Sequence, residues 1–256
     1  MPSGSRPLLS HVVWDWNGTL FDDFDLTARI AGRTLATLGV PGVTGADIRR
    51  EFRRPFSDFY ASLVGRRVSA QEFAFIRQCY EQEYAAEVFD LGLQPDALEA
   101  MDRLARQATQ SLLSMAPDAQ LQRLVDHHDI RGRFVRVEGS PRTDSDGNKA
   151  GCLERHLAIV GADPHGTVII GDTVDDHEAA VHNGARSVLV TTGSTGRTQL
   201  EATGAPVVDT LSAAAELALR AGQGPSRSNP DGDLRDWRGS PQVSSARSRG
   251  KLPRDG

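Results

Sequence analysis

Acidic, hydroxyl and amine side chains follow several short apolar runs of this sequence, at the points where buried strands would end. Asp15 lies near the end of HVVWDW, Ser114 near the end of QSLLSM, and Asp172 just after TVII. Lys149 begins a helical pattern that follows a weaker run. Ligands of open α/β sheets bind beyond the carboxyl ends of the strands, so these side chains should converge on one crevice. Carboxylates, a hydroxyl and an ammonium group suit the chemistry of phosphate and a hard metal ion.

Six short apolar runs predict the strands that would position these residues. Because the runs are continuous rather than alternating, they suit strands buried on both faces, as in a parallel sheet. Helical patterns between them complete the prediction of an α/β fold with a Rossmann-like parallel sheet core. The predicted strands are His11–Trp16, Gln110–Met115, Phe134–Val137, Thr167–Ile170, Ser187–Thr192 and Pro206–Val208.

About ninety residues between the first two runs have helical patterns throughout. Four apolar stripes predict four helices, which contain Leu26 to Leu38, Phe56 to Val64, Phe73 to Tyr84 and Leu98 to Leu104. The segment is too long for a simple crossover, so we expect an inserted helical cap domain. The predicted limits are 1–20 for the first part of the core, 21–108 for the cap, 109–221 for the second part of the core and 222–256 for a disordered tail.

Composition and charge argue against several classes of protein. Hydrophobic residues make up 39% and charged residues 25%, as in soluble globular proteins. The net charge of −5 combines an acidic body with a basic tail rich in Gly, Pro and Ser, so a nucleic-acid partner is not expected. No apolar stretch reaches 18 residues and no signal-peptide pattern is visible, which predicts a cytoplasmic protein without a membrane partner. The oligomeric state cannot be read from the sequence.

Four segments together resemble the motifs of the haloacid dehalogenase-like (HAD) superfamily. DWNGTLFDD at 15–23 is similar to the first motif, D-x-D-G-T-L, and LLSMAP to the second. Lys149 fits the third motif, and GDTVDD at 171–176 is similar to the fourth, G-D-x-x-x-D. The resemblance covers residues 11 to about 215 and includes the position of a helical (C1) cap. The cap and the GDT motif look most like those of phosphoglycolate phosphatase-like hydrolases.

The resemblance implies a Mg²⁺-dependent phosphohydrolase that acts on a small phosphorylated metabolite. Asp15 would be the nucleophile and would form an aspartyl-phosphate, which splits one difficult step into two. Mg²⁺ prefers hard oxygen ligands. By resemblance its protein ligands would be Asp15, the backbone carbonyl of Asn17, and Asp172, with Asp176 in direct or supporting contact.

The resemblance also implies which residues hold the phosphate. Ser114 would donate a hydrogen bond to a phosphoryl oxygen, and Lys149 would neutralise charge on the nucleophile and the transferring group. Lysine is rare in this chain, since the only other one lies in the tail, and this supports a specific role for Lys149. Asn17, Gly18 and Thr19 would line the phosphate site with backbone N–H groups.

Asn17 departs from the pattern, because HAD phosphatases have a second Asp there that acts as general acid and base. An amide can do neither, and this help is worth roughly 10²–10⁴-fold in rate. The substrate could have a good leaving group, such as an acyl phosphate, or Asp22 or Asp23 could partly substitute. Alternatively, the chain is a phosphate-binding or regulatory protein with a degenerate active site, or a phosphotransferase.

Two other HAD chemistries are disfavoured by the sequence. Dehalogenases also lack the second Asp but do not usually keep an acidic fourth motif. Phosphonoacetaldehyde hydrolases need a cap lysine, and residues 21–108 contain none. Four cap arginines are candidates to bind a second anionic group: Arg53, Arg54, Arg66 and Arg67. The alternative is that they are solvated surface residues at helix ends.

Overall fold

A parallel sheet of six strands forms the centre of the computed structural model, which describes residues 8–140 and 149–222. The strand order is β3-β2-β1-β4-β5-β6. In β1, His11 lies opposite Thr109 on one side and Thr167 on the other. The strands are β1 (His11–Trp14), β2 (Thr109–Pro117), β3 (Val137–Ser140), β4 (Thr167–Gly171), β5 (Arg186–Val190) and β6 (Val207–Val208).

Helices cover both faces of the sheet, which confirms the predicted Rossmann-like α/β core. The helices are α1 (Phe24–Thr37), α2 (Gly45–Glu51), α3 (Phe56–Val64), α4 (Ala70–Glu87), α5 (Ala97–Ala105), α6 (Asp118–His127), α7 (Lys149–Val160), α8 (Val174–His182), α9 (Arg197–Ala202) and α10 (Leu211–Gly222). On one face, Val12 and Trp14 belong to a cluster with side chains of α5, α6 and α10. On the other face, Val13 belongs to a cluster with side chains of α7 and α8. Because successive residues of a strand point to opposite faces, a continuous apolar run supplies both clusters.

Helices α1 to α4 lie between β1 and β2 and have a cluster of their own. Phe24, Ala31, Ile48 and Phe59 form its buried part. Helix α5 contacts β2 and α10, so it packs against the sheet although it follows the other inserted helices in sequence. The limits of the cap at 21 and 108 stay a prediction, and the predicted disordered tail lies outside the described residues from 223 onward.

Two local predictions were wrong. The third strand begins at Val137 rather than Phe134, because a short 3-10 helix at Arg131–Arg133 leads into Phe134. Its charged residue Glu138 is only 8% exposed, since Arg136, Arg155 and His156 contact its carboxylate. The inserted segment also contains α2, which no apolar stripe predicted; it begins at a capping box formed by Thr44 and Asp47.

None of the helices in residues 8–140 and 149–222 has both the length and the apolar character that a membrane span requires. The cytoplasmic location stays a prediction.

Candidate active site

Asp15, Lys149 and Asp176 form a buried ionic cluster at the carboxyl ends of the central strands. Asp15 directly follows β1, Lys149 is the first residue of α7, and Asp176 lies in the first turn of α8. The ammonium nitrogen of Lys149 lies 2.6 Å from Asp15 Oδ1 and 2.5 Å from Asp176 Oδ1. The other oxygen of Asp176 accepts hydrogen bonds from the backbone N–H and the hydroxyl of Thr173. Lys149 therefore holds the two carboxylates at fixed positions around its nitrogen.

Asp172 completes a group of three carboxylates that converge on one point. It directly follows β4, and single oxygens of Asp15, Asp172 and Asp176 all lie within 4.8 Å of one another. The backbone N–H of Ser194, in the loop after β5, donates to Asp172 Oδ2 at 2.7 Å, and the Thr19 hydroxyl donates to Oδ1 at 3.3 Å. With all three carboxylates ionised, the three acids and one ammonium would carry a net charge of about −2 in a buried site.

Glycines allow the backbone to approach Asp172 closely. Gly18 has a φ of +68°, a conformation that residues with a side chain rarely adopt. A Cβ atom at Gly193 would lie only 1.9 Å from Asp172 Oδ2. Because no side chain fits at Gly193, the loop after β5 can lie directly against this carboxylate.

Burial and like charge change the acidity of these groups. Burial raises the pKa of Asp15 to about 6, although the adjacent Lys149 ammonium acts in the opposite direction. Burial also raises the pKa of Asp172 well above its usual value, and the carboxylates of Asp15 and Asp176 add to the effect. Burial alone would lower the pKa of Lys149, but the same two carboxylates raise it above its ordinary value. Lys149 is therefore a fixed positive charge at neutral pH.

The residues of this cluster fit a hard divalent cation. The three carboxylates offer oxygen ligands, which Mg²⁺ prefers, and a charge of +2 would balance the excess negative charge. Asp176 Oδ1 contacts the Lys149 ammonium at 2.5 Å, and a carboxylate oxygen can accept from an ammonium and still offer a second lone pair to a cation. The predicted ligand set of Asp15, Asp172 and Asp176 is thus brought together; the carbonyl of Asn17 stays a predicted ligand.

Asn17 makes specific contacts that hold its amide in place. Its Nδ2 atom donates to Asp23 Oδ2 at 2.6 Å and to the Tyr84 hydroxyl at 2.9 Å. Tyr84 in turn donates to Asp23 Oδ2 at 2.7 Å, and the N–H of Gly18 donates to Asp23 Oδ1. Burial raises the pKa of Asp23, and the hydrogen bonds from Asn17, Tyr84 and Gly18 oppose this. Of the two predicted substitutes for the missing acid, Asp23 lies at the site, whereas Asp22 is exposed and accepts from Gln94.

A cavity of about 720 Å³ connects this centre to the cap. Asp15, Asn17, Ser114, Lys149 and Asp172 all line it. Ser114 lies within β2, is 2% exposed, and its hydroxyl oxygen accepts from the N–H of Ala116 at 3.1 Å. That contact leaves the hydroxyl hydrogen available to a ligand in the cavity.

Cap and core are joined by hydrogen bonds beside the carboxylates. The guanidinium of Arg49, at the end of α2, donates to the carbonyl of Gly193 at 3.0 Å and to that of Thr192 at 3.4 Å. The carbonyl of Arg49 accepts from the N–H of Gly196. The Thr192 hydroxyl donates to the carbonyl of Gly18 at 2.6 Å. The loop that holds Asp172 is therefore also bonded to α2.

Among the four arginines considered as candidates for anion binding, Arg54 lines the cavity and the other three do not. Arg54 makes a 2.8 Å ion pair with Asp175. Two of the others contact acids of the cap, Arg53 with Glu51 and Arg66 with Glu72. All three outside the cavity are exposed: Arg53, Arg66 and Arg67.

The geometry agrees with a comparison of the sequence to families of known proteins. The family model of haloacid dehalogenase-like hydrolases matches residues 12–181, which is more than half of the chain. The chain belongs to the haloacid dehalogenase-like hydrolases. A second model, of HAD-hydrolase-like proteins, matches residues 149–214 of this HAD chain. The family predicted from the four motifs is confirmed, and with it a hydrolase of the HAD type. No curated protein sequence matches the chain significantly.

Solved structures of HAD proteins share the fold at low identity. A predicted phosphatase from Clostridium acetobutylicum has a TM-score of 0.69 and 16% identity, over 83% of this chain and 99% of its own. A predicted phosphoglycolate phosphatase from Haemophilus somnus has a TM-score of 0.64 and 15% identity, over 82% and 97%. CbbY from Rhodobacter sphaeroides, in complex with xylulose-1,5-bisphosphate, has a TM-score of 0.58 and 15% identity, over 80% and 96%. At these identities the likeness shows the fold alone.

Some residues at the site were not predicted from the sequence. Ser194 contacts Asp172 through its backbone, and Tyr84 was assigned only to an apolar stripe of the cap. Arg49 carried no signal beyond its charge. Thr173 had a local signal, because T-x-x-D at the start of a helix is a capping-box pattern in which Thr173 and Asp176 contact each other.

Proposed function

We propose that this HAD protein is a Mg²⁺-dependent phosphohydrolase that uses Asp15 as its nucleophile. The observation that carries the proposal is the buried cluster in which Lys149 contacts both Asp15 and Asp176, with Asp172 beside them and a cavity above. A fixed ammonium and a nucleophilic carboxylate at the closed end of a cavity suit attack on a phosphoryl group. The substrate is a phosphorylated small molecule.

Each residue of the cluster has a definite task in this proposal. Asp15 attacks phosphorus with one carboxylate oxygen, and the bond from phosphorus to the leaving oxygen breaks with its electron pair. Lys149 stabilises the charge on the transferring group, and the Ser114 hydroxyl donates to a phosphoryl oxygen. Water then hydrolyses the aspartyl-phosphate and releases phosphate, which restores Asp15. Mg²⁺ held by Asp15, Asp172 and Asp176 would neutralise negative charge on the nucleophile and the phosphoryl group.

The test is Mg²⁺-dependent phosphate release from acetyl phosphate, p-nitrophenyl phosphate and phosphoglycolate. We expect release by the wild type and none by Asp15→Asn. The matched control is Asp90→Asn, an identical change at an exposed site outside the cavity. An Asp15→Asn protein that still releases phosphate at the wild-type rate would contradict the proposal.

A binding or regulatory protein is the second candidate, because the Asn17 amide supplies no proton to a leaving group and is held by Asp23 and Tyr84. In that case the folded, Mg²⁺-loaded wild type would release no more phosphate than Asp15→Asn from any substrate. A phosphotransferase would instead accumulate phosphorylated Asp15 after an acid quench, and would release phosphate only when a suitable acceptor is added.

A further inference from the structure

The side of the cavity formed by the cap has an aromatic wall, which we define as Phe52, Tyr60, Phe73, Tyr80 and Phe89. The wall comes from the cap, mainly from α3 and α4 and the 3-10 helix that follows α4. Each of the five side chains is only partly buried. Apolar surface left exposed to water costs roughly 25 cal/mol per Å², so a ligand that covers these rings gains binding free energy.

The rings are held by one another, which makes the wall a preformed surface. Tyr60 and Phe73 meet edge to face with their centroids 6.2 Å apart, and Tyr80 stacks on Tyr84 at 5.2 Å. Tyr84 is the residue that donates to Asp23 and accepts from Asn17. The aromatic wall is therefore continuous with the contacts that hold Asn17 beside Asp15.

Two of the three arginines that line the cavity pair with acids. Arg54 pairs with Asp175 at 2.8 Å, and Arg77 lies 3.7 Å from Glu81. Arg123 lies over the ring of Phe89, 4.8 Å from its centroid. A site built to hold a second phosphate would be expected to present several unmatched cations. These contacts favour an uncharged group in the cavity beyond the phosphate.

Two polar atoms lie within the aromatic wall. The hydroxyls of Tyr60 and Tyr80 make no hydrogen bond to any residue in 8–140 or 149–222, whereas that of Tyr84 is fully engaged. Burial raises the pKa of Tyr60 to about 12, so this hydroxyl keeps its proton. Both hydroxyls are available as donors to a flat ligand that carries an acceptor.

Asn17, on the core side of the cavity, restricts the leaving group. Its amide donates to Asp23 and Tyr84 and cannot give a proton to a departing alkoxide. A phenol, with a pKa near 10, leaves as its anion far more readily than an aliphatic alcohol, which is a much weaker acid. Asp23, the nearby acid, accepts hydrogen bonds on both carboxylate oxygens and so is not poised to give a proton to the leaving group. Such a site is suited to an aryl leaving group.

We infer that the substrate is an aryl phosphate, the phosphate monoester of a phenolic hydroxyl, whose ring system lies against the aromatic wall. This rests on the proposed function. Asp15 attacks phosphorus, the phosphorus–oxygen bond breaks, and the aryl oxide leaves with the electron pair and takes its proton from water. Hydrolysis of the aspartyl-phosphate then gives phosphate, and one proton is released to solvent.

The test compares kcat/KM for four phosphates that separate ring size from leaving-group acidity. Phenyl and 2-naphthyl phosphate have leaving groups of similar acidity but different apolar area. Cyclohexylmethyl phosphate has a comparable apolar group on an alkoxide, and phosphoglycolate has neither feature. We expect 2-naphthyl phosphate to exceed phenyl phosphate by about tenfold. Both should exceed the alkyl phosphate by about 100-fold or more.

Matched variants on α4 test the aromatic wall. Phe73→Ala should reduce the preference for naphthyl over phenyl to about twofold, mainly through KM, because the ring loses the surface it covers. Phe75 is 40% exposed, lies on the same helix and does not line the cavity, so Phe75→Ala should keep the wild-type preference. If Phe73→Ala does not fold, Phe73→Leu retains an apolar side chain and tests the same contact.

The outcomes distinguish this inference from the function on which it rests. Asp15-dependent release from phosphoglycolate or the alkyl phosphate that equals release from the aryl phosphates would overturn the aryl class and leave the phosphohydrolase intact. A preference for naphthyl over phenyl phosphate that Phe73→Ala does not alter would overturn the role of the wall. No Asp15-dependent release from any substrate, including acetyl phosphate, would overturn both.

Discussion

Replacing Asn17 with Asp would place two carboxylates in contact inside the protein. Asn17 Nδ2 lies 2.6 Å from Asp23 Oδ2, and Asp23 is 2% exposed. At that distance, two full charges repel by about 6 kcal/mol with an effective dielectric constant of 20. The pair therefore keeps one proton at neutral pH. Holding a proton at pH 7 on a group that loses it near pH 4 when unfolded costs about 4 kcal/mol.

The sign of the pH dependence follows from the raised pKa of the pair. The folded variant binds one more proton than the unfolded chain between about pH 4 and the pKa of the folded pair. Relative to the wild type, the free energy of unfolding should therefore be unchanged near pH 4. It should decrease by about 1.4 kcal/mol for each unit that the pH rises above this value. At pH 7 the variant should be less stable by about 4 kcal/mol.

Urea unfolding of metal-free protein in EDTA, at pH 5 and pH 7, measures this difference. The control is the double exchange Asn17→Asp with Asp23→Asn, which keeps one amide and one acid at the two positions and should recover most of the lost stability. Equal stabilities of Asn17→Asp and wild type at both pH values would refute the reasoning. The shared proton should also supply a general acid, so the variant's activity on alkyl phosphates should increase by roughly 10²–10⁴-fold.

Three further perturbations test other parts of the structure. Gly193→Ala should weaken Mg²⁺ affinity by roughly 10–100-fold, because the new Cβ would displace Asp172. Gly92→Ala, where the added Cβ meets open space, should leave the affinity unchanged. Thermal shifts in a Mg²⁺ titration measure both affinities, and equal values would contradict the prediction. Lys149→Met should abolish activity and destabilise the metal-free protein by roughly 3–5 kcal/mol, as removal of one partner of a buried ion pair does, with urea unfolding as the measurement. Burial lowers the pKa of His11 to about 4, so between pH 6.5 and pH 4 the unfolded chain binds more protons than the folded chain. The free energy of unfolding should therefore fall by up to roughly 3 kcal/mol as the pH is lowered from 6.5 to 4. His11→Gln should remove this part of the slope, and identical slopes would count against it.

The central strands and the polar residues that follow them could be predicted from the sequence, because the patterns that indicate them are local. Each continuous apolar run of a central strand supplies side chains to both faces of the sheet, and the polar residue that ends the strand is adjacent in sequence. Asp15, Asp172 and Lys149 were therefore predicted together and lie together. The chain's near-absence of lysine made Lys149 stand out before its contacts were known.

Contacts between segments that are distant in sequence could not be predicted, because local patterns do not show which segments meet. Tyr84 lies 67 positions from Asn17, and its helical spacing with Tyr80 indicates only an apolar stripe. The contact from Ser194 to Asp172 uses a backbone N–H, which every residue except proline possesses. The start of β3 was misplaced because Glu138 has the charge of a surface residue and is buried only through partners from other segments.

The hydrogen bonds from Arg49 to the loop after β5 couple the position of the cap to the position of the Asp172 carboxylate. The backbone N–H of Ser194 in that loop donates to Asp172, and the Arg49 guanidinium donates to the carbonyls of the two preceding residues, Thr192 and Gly193. If α2 moves outward to admit a ligand, either its hydrogen bonds to the loop break or the loop moves with it and changes its contact with Asp172. Entry to the cavity and the orientation of Asp172 thus depend on the same few hydrogen bonds.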